Sequence, residues 1–514
     1  MNVGKLETTL IKLSVLVLLV FVGVGKADAA GKTWLGGASG SSNDWNTASN
    51  WNPAGVPGTG DDVIIPNGKS FYPILTVAAN NTVHTITINS GGTLTIGSGG
   101  VLTTTQGANS VAVNGTLTMS GGTLTVHQDI AGSGSISMSG GTLKIGHDFH
   151  LAPTIFSATG GTVEWTGEVG SAGSGGFPGG TGAYQFFNVL VDAGVDPGFD
   201  NKANSFLITG NWINNGLVTL IGKATTVTFN GTNPQIIGGS SSNTFKNLTI
   251  TNGSGIALAA TATVNGTLTL TSGVVATGTN RMVLPVGGIL SGGGSASYIN
   301  GNFQKAFSTG AGQSFTFPLG DVSNYAPVSL ASLNVTTAGS LTAKSTAGDH
   351  PSIAGSGISS TRGVNRYWTL VNSPAGIVAG SYNATFNFVS SDLDAGANVS
   401  NFIAARYSGG WSNVTIAART STSITINGLT AYGDFSTGEL GGPATFTSCK
   451  IQGDGSALLN LTGLSGRTYT IQASVDLFSW TNIGQSTANI NGVFQFIDVN
   501  APNFAHRYYR ASYP

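Results

Sequence analysis

Apolar and polar residues alternate in short runs along most of this chain. Leu117 and Met119 are separated by a single Thr, and Leu143 and Ile145 by a single Lys. A period of two is that of a β-strand, in which successive side chains point to opposite faces of the sheet. Beyond the first 30 residues no apolar period of about 3.6 residues is sustained, so we expect very little helix. The pattern therefore predicts an all-β protein.

A repeat of about 20 residues organises these predicted strands. Residues 114–132 align with residues 133–151 without gaps, and 8 of the 19 positions are identical. Gly-Gly pairs lie between the strands and supply the positive φ angles that a sharp corner requires. A coil of this length with inward aliphatic side chains is one rung of a β-solenoid, whose rungs stack about 4.8 Å apart. Residues 83–305, 223 in all, predict roughly 11 rungs at about 20 residues each.

The repeat also predicts which side chains face the core. Equivalent positions of neighbouring copies point the same way, so Thr116 and Thr123 are expected to face solvent. Lys144 and Glu164 are equivalent and 20 positions apart, which predicts an ion pair between adjacent rungs. Such a pair contributes about 0.2 to 1 kcal/mol. The side chains expected to point inward are Leu117, Leu124, Ile136 and Leu143.

Changes in composition divide the chain into five segments. After residue 305 the repeat stops, and aromatic-rich strands separated by Gly, Asn, Ser and Pro are typical of a β-sandwich. A Gly-Gly-Pro linker then precedes a strand series that we interpret as a small fibronectin-like sandwich. The predicted fold class is all-β, a β-solenoid resembling a parallel β-helix followed by two β-sandwich domains. The segments are a signal peptide at 1–30, an N-terminal cap at 31–82, solenoid repeats at 83–305, a β-sandwich at 306–440 and the fibronectin-like sandwich at 441–514.

The N-terminus has the pattern of a secretory signal. Lys5 and Lys12 precede an apolar run at 13–24, and the Ala-Asp-Ala of 27–29 offers the small residues that a signal peptidase accepts. The 12 residues of the apolar run are too few to span a bilayer as a helix, so we expect no retained transmembrane anchor. The expected location is secreted or on the bacterial cell surface.

The charge of the chain disfavours several classes of partner. Charged residues make up 8% of the sequence, and 20 Lys and Arg against 21 Asp and Glu give a net charge of −1. No run of like charge occurs, so binding to nucleic acid or to an anionic membrane is not expected. The single cysteine, Cys449, cannot form an internal disulfide, and we expect it to be a small buried apolar side chain.

Several phrases of the sequence carry a resemblance to a group of known proteins. They are the segments 44–51 (DWNTASNW), 58–66 (GTGDDVIIP), 364–370 (VNRYWTL), 466–474 (GRTYTIQAS) and 507–511 (RYYRA). Together with the repeats, they are similar to exported, adhesin-like β-strand-repeat surface proteins of Gram-negative environmental bacteria. The resemblance implies a β-solenoid, C-terminal β-sandwich domains and a place outside the cytoplasm.

Acidic residues in Gly-containing loops are the candidates for calcium binding. Asp192, Asp196 and Asp200 recur every fourth residue, and Asp392 and Asp394 lie in a similar loop. Oxygen-rich loops hold Ca²⁺, but this spacing does not match an EF-hand, and solvated turn aspartates are the simpler interpretation. We therefore predict no cofactor, with Ca²⁺ as the alternative.

Two further arrangements contain residue types found in catalytic or metal sites. The segment from His147 to His150 contains two residues of a type that binds zinc, but residues three apart in a strand point to opposite faces, which disfavours a shared metal. Glu164 and Glu168 are candidates for the carboxylate pair of a glycoside hydrolase, yet Lys144 beside Glu164 makes that residue unsuited to act as a general acid. The sequence contains neither a nucleophile elbow nor a phosphate-binding glycine loop. We expect no enzymatic activity.

Three functions remain open at this point. The leading hypothesis is a non-catalytic, secreted or cell-surface protein with a structural or adhesive role. The second is a carbohydrate-binding or polysaccharide-degrading β-helix protein, with extracellular glycan or cell-surface components as partners. The third is ice binding, because Thr93, Thr116 and Thr123 would form an outward ladder of hydroxyl groups. Lys144 and Glu164 are expected to interrupt that ladder.

Overall fold

The computed structural model consists almost entirely of β-strands. Strands account for 55% and helix for 3% of the chain, which confirms the all-β prediction. In the ranges given below, no helix is long and apolar enough to cross a membrane. The described helices are 3₁₀ turns at Ala48–Asn50, Ile353–Gly355, Ser390–Asp392, Val399–Asn401 and Ala501–Asn503.

The structure describes most of the chain after its first 29 residues. The described ranges are 30–105, 109–167, 176–178, 181–199, 202, 204–218, 220, 223–372, 376–442, 444–464 and 466–512. The predicted signal peptide therefore lies, apart from its last residue, outside the described residues.

A β-solenoid of about 11 turns forms the N-terminal part of the structure, as the repeat predicts. Its strands lie on three faces, and equivalent strands of neighbouring turns pair in parallel. The first face contains Ala30–Trp34, Asp61–Ile65, Thr85–Ile88, Val111–Val113, Ile130–Ala131, Phe149–His150, Asn243–Phe245 and Ala262–Val264. The second contains Ile74–Leu75, Thr93–Ile96, Tyr184–Phe186, Ser205–Ile208, Thr226–Phe229, Asn247–Ile250, Thr267–Leu270 and Ile289–Gly292.

The third face completes each turn. It contains Asn80–Val83, Val101–Thr104, Asn188–Val191, Trp212–Asn214, Gln235–Gly238, Ile256–Leu258 and Leu319–Gly320. Some longer strands bend from one face to the next. From the second face to the third run Thr116–Val126, Ser135–Ile145 and Phe156–Trp165, and from the third to the first run Val275–Leu284 and Ile299–Phe307.

Neighbouring turns are in the register that the repeat predicts. The four side chains expected to point inward are buried and pair as predicted, Leu117 with Ile136 and Leu124 with Leu143. Thr116 and Thr123 are partly exposed on the outer side of the same strands. The predicted inward and outward positions are therefore confirmed.

Glycine pairs form the corner between the second and third faces. Gly122 and Gly141 have φ angles of 65° and 81°, in the left-handed region that other residues rarely adopt. A Cβ atom on either residue would lie 2.3 Å from a backbone oxygen of the preceding turn. The Gly-Gly pairs are thus required both by the backbone angle and by the close approach of stacked turns.

Large side chains fill much of the solenoid interior. At its N-terminal end the buried rings of Trp34 and Trp45 pack edge to face against Trp51, with centroids 4.9 and 4.7 Å from it. Parallel pairing already begins here, between Ala30–Trp34 and Asp61–Ile65, within the segment predicted to be a cap. Further along, the buried aromatic residues are Phe149, Phe156, Trp165, Phe177, Tyr184, Phe186, Phe199, Phe206 and Trp212.

Ile299–Phe307 joins the solenoid to an antiparallel region. It pairs in parallel with Val275–Leu284 on one side, and its last residues pair antiparallel with Gly339–Ala347 on the other. The sheet that continues from it contains Gly339–Ala347, Ile358–Gly363, Arg366–Val371, Phe402–Tyr407, Trp411–Val414 and Gly433–Leu440.

A second antiparallel sheet packs against this one. The ring centroid of Phe386 lies 5.3 Å from that of Trp368 and 4.7 Å from that of Phe435, and both partners belong to the other sheet. The strands of the second sheet are Gly310–Phe317, Val328–Thr337, Val378–Ala379, Tyr382–Asn387, Ile416–Thr420 and Ser423–Leu429. All-β structure thus continues beyond the solenoid, as predicted.

A terminal unit with its own core follows. Leu459, Tyr469 and Phe494 belong to that core. One sheet contains Thr445–Ile451, Ala457–Thr462 and Val493–Asp498, and the other Thr468–Ser474, Thr481–Thr487 and Tyr508–Ser512. Cys449 is exposed, so the expectation of a buried thiol is wrong. It lies on an edge strand whose side chains mostly face outward, which the local sequence does not reveal.

Candidate functional site

Several ionisable side chains lie close together where the chain passes from the third face of the solenoid to the first. This concentration is unusual in a chain with 8% charged residues and six histidines. Besides His127, which lies at the same turn, the residues are Asp129, Lys144, His147, Asp148, His150, Glu164 and Asp192. They form two groups, which are described in turn.

The first group, named here the His147 cluster, consists of Asp129, His147, Asp148 and His150. His147 Nδ1 lies 3.0 Å from Asp129 Oδ1 and 3.5 Å from Asp148 Oδ2. His150 Nε2 lies 3.3 Å from that same oxygen of Asp148. One carboxylate therefore contacts both imidazoles, and a second carboxylate contacts one of them.

The repeat explains why these residues meet. Asp129 and Asp148 are 19 residues apart, and each lies directly before a strand of the first face. Those two strands pair in parallel, so the two acids stack on consecutive turns. The chain bends immediately before Asp148, and the alternation of a strand does not extend from His147 to His150. Both histidines contact Asp148, so the expectation that they point to opposite faces is wrong.

The two carboxylates of the His147 cluster are largely buried. The side chains of Asp129 and Asp148 are 10% and 8% exposed. Oδ1 of Asp129 accepts the backbone N–H of Asp148 at 3.0 Å. Oδ1 of Asp148 is buried, and among the described residues it has no hydrogen-bond partner. A buried carboxylate oxygen without a donor is costly, because its hydration has been lost without replacement.

The second group consists of Lys144, Glu164 and Asp192. Lys144 Nζ lies 2.9 Å from Glu164 Oε1, and the two residues are directly paired on neighbouring strands, which confirms the predicted ion pair. Burial raises the pKa of Asp192, and the nearby Glu164 raises it further, while Lys144 acts in the opposite direction. The group thus combines an ion pair with a carboxyl whose charged form is disfavoured.

The other acidic candidates have separate partners. Asp196 Oδ1 accepts the backbone N–H of Gly198 at 3.0 Å, within its own turn. Asp392 binds the guanidinium of Arg366, and Asp394 accepts from the Gly363 N–H at 2.8 Å. Each of these three carboxylates therefore has a partner in the fold that lies apart from the His147 cluster. Asp200 and Glu168 lie outside the described residues.

The threonine ladder differs from its prediction. Thr116 pairs with Thr93 on the second face, but Thr123 pairs with Val101 on the third. Lys144 and Glu164 also lie on the third face, in a row with Thr125. They therefore do not interrupt the hydroxyl groups of the second face, because the corner separates the two halves of each long strand.

Sequence reasoning did not single out Asp129 and Asp148. The signal was nevertheless present, because the alignment of 114–132 with 133–151 places one acid over the other. Their meeting with His147 and His150 depends on the bend before Asp148, which has no distinctive sequence signature.

A second candidate surface is the loop 475–480 of the terminal unit, named here the terminal loop. Phe478 is 91% exposed, and Leu477 has a φ angle of 65°, which is rare for a non-glycine residue. The Asp476 carboxylate accepts the backbone N–H groups of Ser479 and Phe478 at 2.7 and 2.9 Å. These hydrogen bonds, with the Ser479 N–H contributing most, lower the pKa of Asp476 to about 2. The loop therefore holds an exposed aromatic ring on an ordered backbone.

Comparison with known proteins adds one match. Residues 33–151 match a family described as Domain of unknown function (DUF8693). The matched part extends from the N-terminal tryptophans to the end of the His147 cluster and covers less than half of the chain. No curated protein matches the sequence, and no solved structure matches it either. About a quarter of the chain, close to its N-terminus, is therefore similar to a domain family of unknown function.

Proposed function

We propose that this chain is a non-catalytic structural and adhesive protein that acts outside the bacterial cell or at its surface. The observation that carries the proposal is the terminal loop, in which Phe478 is 91% exposed while the surrounding backbone is ordered. A ring carried on an already ordered backbone loses less conformational freedom on binding than one carried on a flexible segment. The stacked turns of the solenoid supply a stiff and weakly charged body that carries this contact site.

An extracellular glycan is the partner that we propose for the terminal loop. Trp480 follows Phe478 closely, and its ring centroid lies 4.4 Å from the guanidinium carbon of Arg510. Arg510 Nε donates to Gln472 Oε1 at 2.7 Å. Aromatic rings beside amide and guanidinium groups suit the apolar faces and the hydroxyl groups of a sugar. The net charge of −1 argues against a nucleic acid.

The replacement Phe478→Ser is expected to weaken adhesion without changing the fold. We expect binding to immobilised extracellular polysaccharide and to whole cells to fall by at least about tenfold, which corresponds to about 1.4 kcal/mol. The unfolding temperature should stay unchanged, because the side chain is 91% exposed. Surface plasmon resonance on a glycan panel, together with pull-down on cells, measures the effect.

Ile490→Ser is the matched control for this experiment. Ile490 is 88% exposed in the same unit, at the opposite end of the strand Thr481–Thr487. The Ile490→Ser substitution removes a similar exposed apolar area far from the terminal loop, so binding should be retained. Equal losses in the two variants, or full binding by Phe478→Ser, would contradict the proposal.

We further propose that the protein does not cleave glycans. The enzymatic alternative would use Glu164 and Asp192, since two neighbouring carboxyl groups, one of them with a raised pKa, are an arrangement found in glycosidases. The ion pair argues against this alternative, because Lys144 Nζ lies 2.9 Å from Glu164 Oε1 and engages the carboxylate that catalysis would need. We expect no reducing ends or unsaturated products from pectic, alginate, chitin or glucan substrates. Turnover that is abolished by Glu164→Gln or Asp192→Asn would overturn this expectation.

Ice binding is a second candidate because the second face has a charge-free outward column. Its members are mostly hydroxyl residues stacked on successive turns. In order they are Thr95, Thr118, Ser137, Ser157, Gln185, Leu207, Thr228, Thr249, Thr269 and Ser291. A measurement of thermal hysteresis separates this candidate from adhesion.

A further inference from the structure

We propose that the His147 cluster is a transition-metal site, with Zn²⁺ as its occupant, and that the ion ties two consecutive turns of the solenoid together. Ligand atoms of Asp129, His147 and Asp148 all lie within 4.8 Å of one another. His150 lies outside this convergent group, but its Nε2 is 3.3 Å from Asp148 Oδ2, so a second imidazole is close to one of the three ligands. Two imidazoles and two carboxylates are a donor set that zinc accepts.

The separations of these atoms suit tetrahedral coordination. Zinc bonds of about 2.0–2.2 Å place neighbouring ligand atoms of a tetrahedral site roughly 3.3–3.6 Å apart. His147 Nδ1 is 3.0 Å from Asp129 Oδ1 and 3.5 Å from Asp148 Oδ2. For Asp129, His147 and Asp148, a bound ion therefore requires only small movements of side chains, whereas His150 has to move toward the other three to complete the coordination.

Hydrogen bonding within the cluster leaves a buried acceptor unsatisfied. Oxygens of Asp129 and Asp148 both face Nδ1 of His147, which carries at most one proton. Independently, Oδ1 of Asp148 has no partner among the described residues, although its side chain is only 8% exposed. A cation satisfies several of these lone pairs at once, whereas a single proton cannot.

The choice of ion follows from the donors. Imidazole nitrogens select zinc and similar transition metals, whereas Ca²⁺ prefers a shell made of oxygen atoms alone. The ligands come from consecutive turns, since Asp129 precedes Ile130–Ala131 and the other three residues surround the start of Phe149–His150. An ion held between them is a cross-link in a chain whose single cysteine cannot form an internal disulfide.

The pair His84 and Asp62 supplies a matched control. His84 Nδ1 lies 2.7 Å from Asp62 Oδ1, and Thr85 donates to the same oxygen at 2.6 Å. This pair also lies in the solenoid, yet it is outside the group of convergent metal-ligand atoms found in the described chain. It therefore tests whether any histidine–carboxylate contact is enough to bind an ion.

The test is zinc binding by the purified full-length protein without a polyhistidine tag. After EDTA treatment and dialysis, Zn²⁺ alone is titrated by calorimetry, and Co²⁺ is added separately to record its visible absorption. We expect one ion per chain, a tetrahedral cobalt spectrum and a rise in unfolding temperature with Zn²⁺. His147→Gln and Asp148→Asn should weaken binding by at least about tenfold and remove the rise, while His84→Gln should behave as wild type.

Three results would each overturn the proposal. One is a folded wild-type protein, shown by circular dichroism, that takes up no Zn²⁺ at micromolar concentration. The second is zinc binding that persists in both His147→Gln and Asp148→Asn, and the third is zinc binding that is lost equally in His84→Gln. Asp148→Asn preserves the shape of the side chain. If this variant is folded and does not bind Zn²⁺, the loss is therefore due to the missing carboxylate at position 148.

Discussion

Replacement of Leu143 by Asp is expected to unfold the central turns of the solenoid. Leu143 is fully buried and pairs with Leu124 on one neighbouring turn and with Val163 on the other. The variant places a carboxylate in an apolar interior that offers no partner, which costs several kcal/mol. We expect a loss of about 4 kcal/mol or more, at the upper end of what single substitutions do. Chemical denaturation followed by circular dichroism measures it.

The loss should spread to neighbouring turns, because each turn of a solenoid is stabilised mainly by its contacts with the next. Hydrogen exchange should therefore show deprotection in the strands that contain Leu124 and Val163. Thr142→Asp is the control, since Thr142 precedes Leu143 on the same strand and is partly exposed. It should change stability by less than about 1 kcal/mol. If the two substitutions had equal effects, the assignment of inner and outer faces would be wrong.

Removal of the Arg366 guanidinium is expected to destabilise the antiparallel region by about 3 to 5 kcal/mol. Arg366 is 0% exposed, and its guanidinium binds Asp392 through Nε at 2.8 Å and Nη2 at 3.0 Å. It also donates to Asp321 and, at 3.0 Å, to Ser345 Oγ. In Arg366→Met these carboxylates stay within the fold and lose their cation. Denaturant unfolding at neutral pH measures the loss.

The loss in the free energy of unfolding caused by Arg366→Met should become smaller at acidic pH. Burial raises the pKa of Asp321, but hydrogen bonds from the backbone of Ser323, from Arg366 and from the backbone of Asn324 outweigh it, and the pKa lies below its ordinary value. In the wild type this group stabilises the fold above its unfolded pKa of about 3.9, and the contribution is lost as pH falls through the folded value. In the variant, Asp321 and Asp392 have lost their shared cation, so protonation of these carboxylates reduces their mutual repulsion and stabilises the fold.

The wild-type and Arg366→Met stabilities should therefore converge as pH falls, first between neutral pH and about 4 as the carboxylates of the variant are protonated, and further below about 4 as the wild type loses the Asp321 contribution. The double variant Arg366→Met with Asp392→Asn removes one of the stranded charges and should recover part of the loss at neutral pH. If the stability difference between the wild type and Arg366→Met stayed constant with pH, unpaired carboxylates would not be its cause. A double variant that is less stable than the single variant would lead to the same conclusion.

Local periodicity was sufficient to predict the solenoid from the sequence. The spacing between Leu117 and Ile136 is the offset at which their strands pair, because stacked turns repeat one geometry. The same arithmetic placed Lys144 opposite Glu164, and their side chains are 2.9 Å apart. A repeat therefore turns sequence separation directly into spatial position.

Only the tertiary structure decided the contacts that break this periodicity. The bend before Asp148 brings His147 and His150 to one carboxylate, and the corner of each long strand places Thr123 on a different face from Thr116. Beyond the repeat, Arg366 binds a residue 45 positions away, at a separation that no period specifies. Parallel turns repeat a fixed offset, so the sequence by itself determined their register. Bends and antiparallel pairings depend on side chains that are distant in sequence, so they become visible only when the chain is folded.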